Sequence, residues 1–181
     1  MPDSKRLPGD LSFDEKTKRM IRVNHAGEYG AKRIYAGQLA VLGKTKAGKV
    51  IREMADQEQE HLEAFSKIMT QRRVRPTVLM PLWHIAGFAM GAVTALLGEK
   101  AAMACTVAVE TVIDEHYAKQ EEQLGAADSE LKSMVTQFRA DEKEHHDTAL
   151  EHGAESSPHY RLLTRVIQYQ TKLAIWLSTR L

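Results

Sequence analysis

Glu58-Gln-Glu-His61 and Glu142-Lys-Glu-His145 are two copies of one pattern, a glutamate followed three residues later by a histidine. Residues three apart share a helix face, so each copy aims a carboxylate and an imidazole the same way. Their neighbours say which way. Ile51, Met54, Glu58, His61, Phe65 and Ile68 step by threes and fours, as do Leu131, Val135, Phe138, Glu142, His145 and Ala149, the alternation of a helix seam buried in a bundle. Both pairs are therefore expected at core positions. One such pair on an exposed helix is ordinarily a solvated face. Two in the core are another matter, because a buried carboxylate without a partner is too costly to be incidental. A metal ion is the simplest partner.

About one helix earlier in each half stands a further glutamate, Glu28 before Glu58 and Glu110 before Glu142. Ile21, Asn24, Glu28, Ala31 and Tyr35 repeat the inward stepping, and so do Met103, Val107, Glu110, Asp114 and Tyr117. The chain thus reads twice as a helix with one Glu followed by a helix with Glu-x-x-His. Four Glu and two His so arranged are the donor set of a carboxylate-bridged di-iron or di-manganese centre in a ferritin-like four-helix bundle. In such a centre Glu58 and Glu142 are expected to bridge, with Glu28 and His61 completing one metal position and Glu110 and His145 the other. The four carboxylates would balance the charge of two Fe(II). Asp141, beside Glu142, is expected to hold a ligand imidazole from behind, against the plainer reading of a surface acid. With the donor set complete, His25 is expected to be structural or to support a ligand.

The rest of the chain fits one domain. Its 181 residues suffice for a bundle core. With 25 basic and 24 acidic residues and no basic stripe, it offers no nucleic-acid surface. One cysteine, Cys105, excludes an internal disulfide framework and reads as a small core residue. Residues 1–11 are expected to be a flexible N-terminus with neither a secretory signal nor a transit peptide, which fits a bacterial protein facing the cytoplasm or a mature organellar form. Residues 12–181 are expected to form a single di-iron domain.

Helix one should run from a capping box at Ser12 and Glu15 to Leu42, with Gly43 as its stop. Its Asn24-His-Ala-Gly-Glu-Tyr-Gly-Ala31 stretch of small residues leaves room beside the backbone. Helix two is expected over about 47–73, helix three over 99–124, and helix four from an Asp128 cap to His152, where His146 and His152 read as surface polarity. Between helices two and three, residues 76–98 carry no formal charge. That is long enough to span a bilayer, but one span would put Glu58 and Glu110 on opposite sides. A crossover with a short apolar helix that covers the bundle or lies in a membrane interface is the expectation. Gly87-x-x-x-Gly91 would allow a close helix approach, and Leu79 and Trp83 would share its anchoring face. A last helix, 158–181, should open at Ser156-Ser-Pro158 and carry Leu162, Val166, Tyr169, Leu173 and Trp176 on one face, closing the bundle or binding membrane.

Ile21-Arg-Val-Asn-His-Ala-Gly-Glu-Tyr-Gly-Ala31, Arg75-Pro-Thr-Val-Leu-Met-Pro-Leu-Trp83, Ala102-Met-Ala-Cys-Thr-Val-Ala-Val-Glu110 and Glu142-Lys-Glu-His-His-Asp147 resemble the demethoxyubiquinone hydroxylases over about residues 20–181. The resemblance implies a membrane-associated di-iron monooxygenase that adds one hydroxyl to the ring of a polyprenylated demethoxyubiquinol, with O2 as co-substrate and a reductant such as NADH. It matches Glu28, Glu58, His61, Glu110, Glu142 and His145 to the iron ligands and His116 and Tyr117 to a pair near them. Nothing carries over at Asp114. It also implies a quinol, a membrane surface, other ubiquinone-biosynthesis proteins including a lipid-binding accessory protein, and further copies of the chain as partners. The implied place is peripheral, on the cytoplasmic face of a bacterial inner membrane or the matrix face of a mitochondrial one. The 76–97 stretch is the expected route for the isoprenoid tail. An iron-storage ferroxidase of the ferritin type is the competing expectation, since it would use the same ligands.

Overall fold

The structure is a computed structural model that describes residues 9–181. Most of the segment expected to be flexible, 1–11, lies outside the described residues. Among these, secondary structure is entirely helical: α1 (Phe13–Leu42), α2 (Lys46–Gln71), α3 (Met80–Leu96), α4 (Glu99–Leu124), α5 (Ser129–Glu151) and α6 (Tyr160–Arg180), with a 3-10 turn at Ala154–Ser156. Helices α1 and α2 form one hairpin and α4 and α5 a second. Helix α3 is the crossover between them, the connectivity of a ferritin-like bundle.

Local chemistry sets the ends. The expected capping box starts α1: Glu15 N–H donates to Ser12 Oγ at 3.1 Å, and Ser12 N–H donates to Glu15 Oε2 at 2.7 Å. Asp128 caps α5 by accepting from Leu131 N–H at 3.2 Å and pairs with the Arg72 guanidinium at the end of α2, so one carboxylate ties the two hairpins together. The last helix corrects the expectation. It opens at Tyr160, not at Pro158, and has no side-chain cap. A residue before proline is driven from helical geometry, so Ser157 is extended at ψ 135° and His159 turns left-handed at φ 57° before α6 can begin.

The four long helices bury two apolar blocks. Tyr35, Ile51, Met54, Met103 and Ala149 belong to one; Ile21, Phe65, Leu131, Val135 and Phe138 belong to the other. In every ligand-bearing helix the glutamate falls between a residue of one block and a residue of the other, so the polar cluster sits mid-bundle with apolar packing at both ends. Cys105 is fully buried and burial pushes its thiol up to about 12, as fits a core residue.

Helix α3 lies against α1, and glycines permit it. A side-chain carbon on Gly91 would collide with the Ile34 carbonyl, and one on Gly37 with the Phe88 carbonyl. No helix among the described residues is long and apolar enough to cross a membrane. The outer sides of α3 and α6 are nevertheless apolar and exposed: Val78, Leu82, Ile85, Val93 and Leu96 on or beside α3, and Leu162, Val166, Tyr169, Leu173 and Trp176 on α6. The apolar face expected of the last helix is therefore exposed, while Thr164, Ile167 and Ser178 are buried. Leu79 and Trp83, the expected anchoring pair, are both only partly exposed. Trp83 is half-buried and donates its indole N–H to Ser178 Oγ at 3.0 Å, because α6 offers it a polar partner on the inner side.

Candidate metal centre

The structure brings the six sequence-selected donors together, and each is at most 3 % exposed. They fall into two overlapping groups. Glu28, Glu58, His61 and Glu142 can each place one donor atom within 4.8 Å of the others, and so can Glu58, Glu110, Glu142 and His145. Glu58 and Glu142 belong to both groups.

Protein groups alone do not satisfy this cluster. Both Glu58 oxygens and His61 Nδ1 are buried and make no hydrogen bond. His61 Nδ1 lies 3.2 Å from Glu142 Oε1 and 3.6 Å from Glu28 Oε2. His145 Nδ1 lies 3.3 Å from Glu58 Oε1 and 3.2 Å from Glu142 Oε2. Unpaired buried donors and acceptors of this kind are rare in native cores. A cluster of hard carboxylate oxygens and two imidazole nitrogens, in two fourfold groups, suits a pair of divalent first-row metal ions.

The electrostatics express the crowding. Burial, and then the charge of Glu142, hold the Glu58 and Glu110 carboxyls well above the usual range. Burial pushes Glu142 the same way, but the two imidazoles beside it prevail and hold it down to about 2. Burial would lower His61, yet Glu142 and Glu28 raise it to about 11. His145 is raised against its own desolvation, chiefly by Glu142.

Around the six lies a second set of contacts, of which sequence reasoning named Asp141 and Tyr117 and missed Gln57 and Tyr35. Asp141 Oδ2 stands 3.1 Å from His61 Nε2, the place expected for it, although on the histidine of the other hairpin. Gln57 Oε1 does the same for His145 Nε2 at 2.7 Å. Tyr117 donates its hydroxyl to Glu28, and Tyr35 donates to Glu110 Oε1 at 3.2 Å. Each tyrosine follows the glutamate of its own helix by seven residues and bonds that of the other helix. This repeat was visible in the sequence as a signal, Glu28 with Tyr35 and Glu110 with Tyr117. The Gln57 role had no such signal, because a glutamine on a helix is usually solvated.

His116 contacts the buried amide pair Asn24 and Gln120, whose side chains bond reciprocally at 2.7 and 2.8 Å; burial lowers its imidazole to about 4. His25 is in neither donor group; its buried Nδ1 makes no hydrogen bond, and burial lowers its pKa. Asp114 departs from the inward pattern. Its side chain is 41 % exposed and accepts from Arg139 Nε at 2.7 Å, because a salt bridge at the surface spares the core a fifth carboxylate.

An apolar cavity of about 570 Å³ lies between α1, α3, α4 and α6. A smaller hollow lies beside it, sharing Val23, Gly27, Ala31, Val109, Ile113 and Ile175 and lined also by Glu28, Glu58, Glu110 and Glu142. Helix α3, the stretch expected to carry the tail, thus forms one wall of this cavity, and α6 forms another that the sequence did not single out.

Fold and cluster together define a ferritin-like helical bundle with a buried carboxylate–imidazole cluster of a kind that could hold metal ions. Residues 15–178 match the family model "Ubiquinone biosynthesis protein COQ7", and the chain belongs to that family. It is 58% identical over 166 residues to the "NADPH-dependent 3-demethoxyubiquinone 3-hydroxylase, mitochondrial" of Mus musculus, covering 90% of this chain and 76% of that one. It is 52% identical over 176 residues to the "3-demethoxyubiquinol 3-hydroxylase" of Rhodospirillum rubrum, covering 97% and 83%. The "5-demethoxyubiquinone hydroxylase, mitochondrial" of Saccharomyces cerevisiae is 42% identical over 180 residues, covering 90% of this chain and 77% of that one.

Proposed function

We propose that this chain is a di-iron monooxygenase of ubiquinone biosynthesis that hydroxylates the ring of a polyprenylated demethoxyubiquinol. The single observation that carries the reading is the apolar cavity and, sharing six of its lining residues, the small hollow lined by Glu28, Glu58, Glu110 and Glu142 of the cluster. The relatives' names supply the substrate and the reaction. An iron-storage protein needs the cluster but has no use for a lipid-sized cavity, so the cavity favours the hydroxylase.

Glu28 and His61 would hold one iron, Glu110 and His145 the other, with Glu58 and Glu142 shared between them. Bound iron in its reduced form supplies the electrons that activate O2. The chain does the rest. Burial excludes water from the cluster, and Tyr35 and Tyr117 hold Glu110 and Glu28 by their hydroxyls. Asp141 and Gln57 fix the histidines with Nδ1 inward. The glycines of α1 admit a flat ring: a side-chain carbon at Gly27 or Gly30 would meet nothing within 4 Å. The isoprenoid tail would lie between α3 and α6, whose outward apolar faces would rest on the membrane. Peripheral attachment at a bacterial inner membrane, or at the matrix face of a mitochondrial one, accords with the bacterial and mitochondrial relatives. Electrons would come from a reduced nicotinamide, NADPH by the mouse relative's name rather than the NADH expected from the sequence.

The test is single-turnover oxidation. Protein loaded anaerobically with Fe(II) is given demethoxyubiquinol in detergent and isotopically labelled O2. The expected product carries one labelled oxygen on the ring. Iron oxidised and retained as a mineral, with the quinol unchanged apart from loss of hydrogen, would instead support storage.

A further inference from the structure

The two halves of the centre match in their donors and in the hydroxyls that bond them: glutamate with glutamate, histidine with histidine, tyrosine with tyrosine, although Phe138 stacks on His61 at 3.9 Å where the equivalent residue of the other half is Met54. Behind the histidines they differ. The outer nitrogen of His61 meets a carboxylate, Asp141 Oδ2 at 3.1 Å, whereas that of His145 meets a neutral amide, Gln57 Oε1 at 2.7 Å. These residues occupy equivalent places, each immediately before the glutamate shared by both donor groups.

Resting on the di-metal reading above, we propose that Asp141 and Gln57 make the two metal positions unequal. The position built on His61 and Glu28 fills first and binds its ion more tightly; the position built on His145 and Glu110 fills second. Two physical terms point the same way. An imidazole whose outer N–H is given to a carboxylate is a more basic donor at its inner nitrogen than one bonded to an amide. The Asp141 charge would also lie on the far side of the buried His61 ring from the cation and attract it through that ring, although Asp141 itself is 30 % exposed. Asp141 and Gln57 are positioning residues: each acts through a histidine and belongs to neither donor group. A centre that loads in order would avoid trapping a single ion at the position with the weaker imidazole.

Anaerobic calorimetric titration of the full-length, metal-free protein with Fe(II) reads this directly. Two steps are expected in the unaltered chain. His145→Ala isolates the His61 position and should bind Fe(II) about tenfold more tightly than His61→Ala, the low end of the effect that partners behind metal ligands typically carry. Adding Asp141→Asn should weaken the His145→Ala protein by a similar factor and leave His61→Ala unchanged. Gln57→Glu should tighten binding in His61→Ala. Circular dichroism checks that each variant keeps its helices. If a histidine variant fails to fold, Asp141→Asn and Gln57→Glu in the otherwise unaltered chain carry the test, since each should narrow the gap between the two steps. Equal affinity at both positions, or equal weakening of both by Asp141→Asn, would overturn the inference. Absence of any iron binding would instead overturn the di-metal reading itself.

Discussion

A single glutamate, Glu142, shows how tightly the site is bound up with charge. It lies in both donor groups and beside both imidazoles. Glu142→Gln preserves its shape and removes the charge both positions share. Metal affinity should therefore fall at both, by more than the roughly 10–100-fold that partners behind ligands carry, while helix content holds. Metal analysis after gel filtration would check it, and a variant that retains two irons would defeat the assignment. The same linkage makes metal removal destabilising: an ion that binds only the folded form adds about 2.7 kcal/mol at one hundred times its dissociation constant, so chelation should lower the melting temperature. At this scale the sequence was legible where spacing dictates direction. The six residues brought together are those whose threes and fours pointed inward. It was silent where direction depends on a partner from another helix. Gln57 carries no periodic signal, and the outward turn of Asp114 is decided by Arg139, 25 residues away.

Among the elements, α1 carries the sharpest conflict between stability and use. Gly27 sits mid-helix, where glycine costs about 0.5–1 kcal/mol against alanine, yet it lines the apolar cavity and the hollow beside the cluster. Gly27→Ala should raise stability by about that amount and lower quinol turnover, by narrowing the ring's path. Gly91→Ala should do the reverse of stabilising: its new carbon meets the Ile34 backbone, so a loss of about 1–3 kcal/mol is expected. Chemical denaturation of both variants would separate the two cases. The α2–α5 tie makes a third. Hydrogen bonding to Arg72 holds the Asp128 carboxyl below its ordinary range, despite some desolvation. A depressed carboxylate stabilises above its unfolded pKa, near 4, and loses that stabilisation as pH falls through its lower folded value. Asp128→Asn keeps a capping side chain but loses the ion pair, so its deficit against the unaltered chain should be full at pH 6 and shrink in acid. Capping residues such as Ser12 and Asp128 were readable because they act within a turn. The late start of α6 was not, because the left-handed His159 follows from how Pro158 and the 3-10 turn settle together.

At the scale of the whole molecule, the uncharged crossover posed a choice between covering the bundle and facing a membrane, and the fold gives α3 one side that covers the bundle and another that is apolar and exposed. Its glycines press on α1, its inner face walls the cavity, and Leu82, Ile85 and Leu96 stand 51 %, 68 % and 73 % exposed. Sequence alone could not separate these sides, because a helix apolar all round has no periodic signal. Next to α3, α6 exposes Tyr169 and Trp176, residue types that settle at headgroup depth. The two outward faces flank one cavity, so a bilayer resting on them would let an isoprenoid tail pass from lipid to the cluster without entering water. Leu82→Lys with Ile85→Lys should therefore cost about 3–6 kcal/mol of apolar partitioning without touching the metal, since neither residue lines the cavity or the hollow. Flotation with neutral liposomes is the measurement, because anionic lipid would attract the added lysines and mask the loss. The double variant should stay in the soluble fraction, keep its iron and helix content, and lose turnover of a long-tailed quinol in vesicles more than that of a short-tailed one in solution. Normal flotation would remove this face from the membrane; flotation lost together with a shift from an oligomer to a monomer in detergent-free gel filtration would mean that another copy of the chain covers it instead.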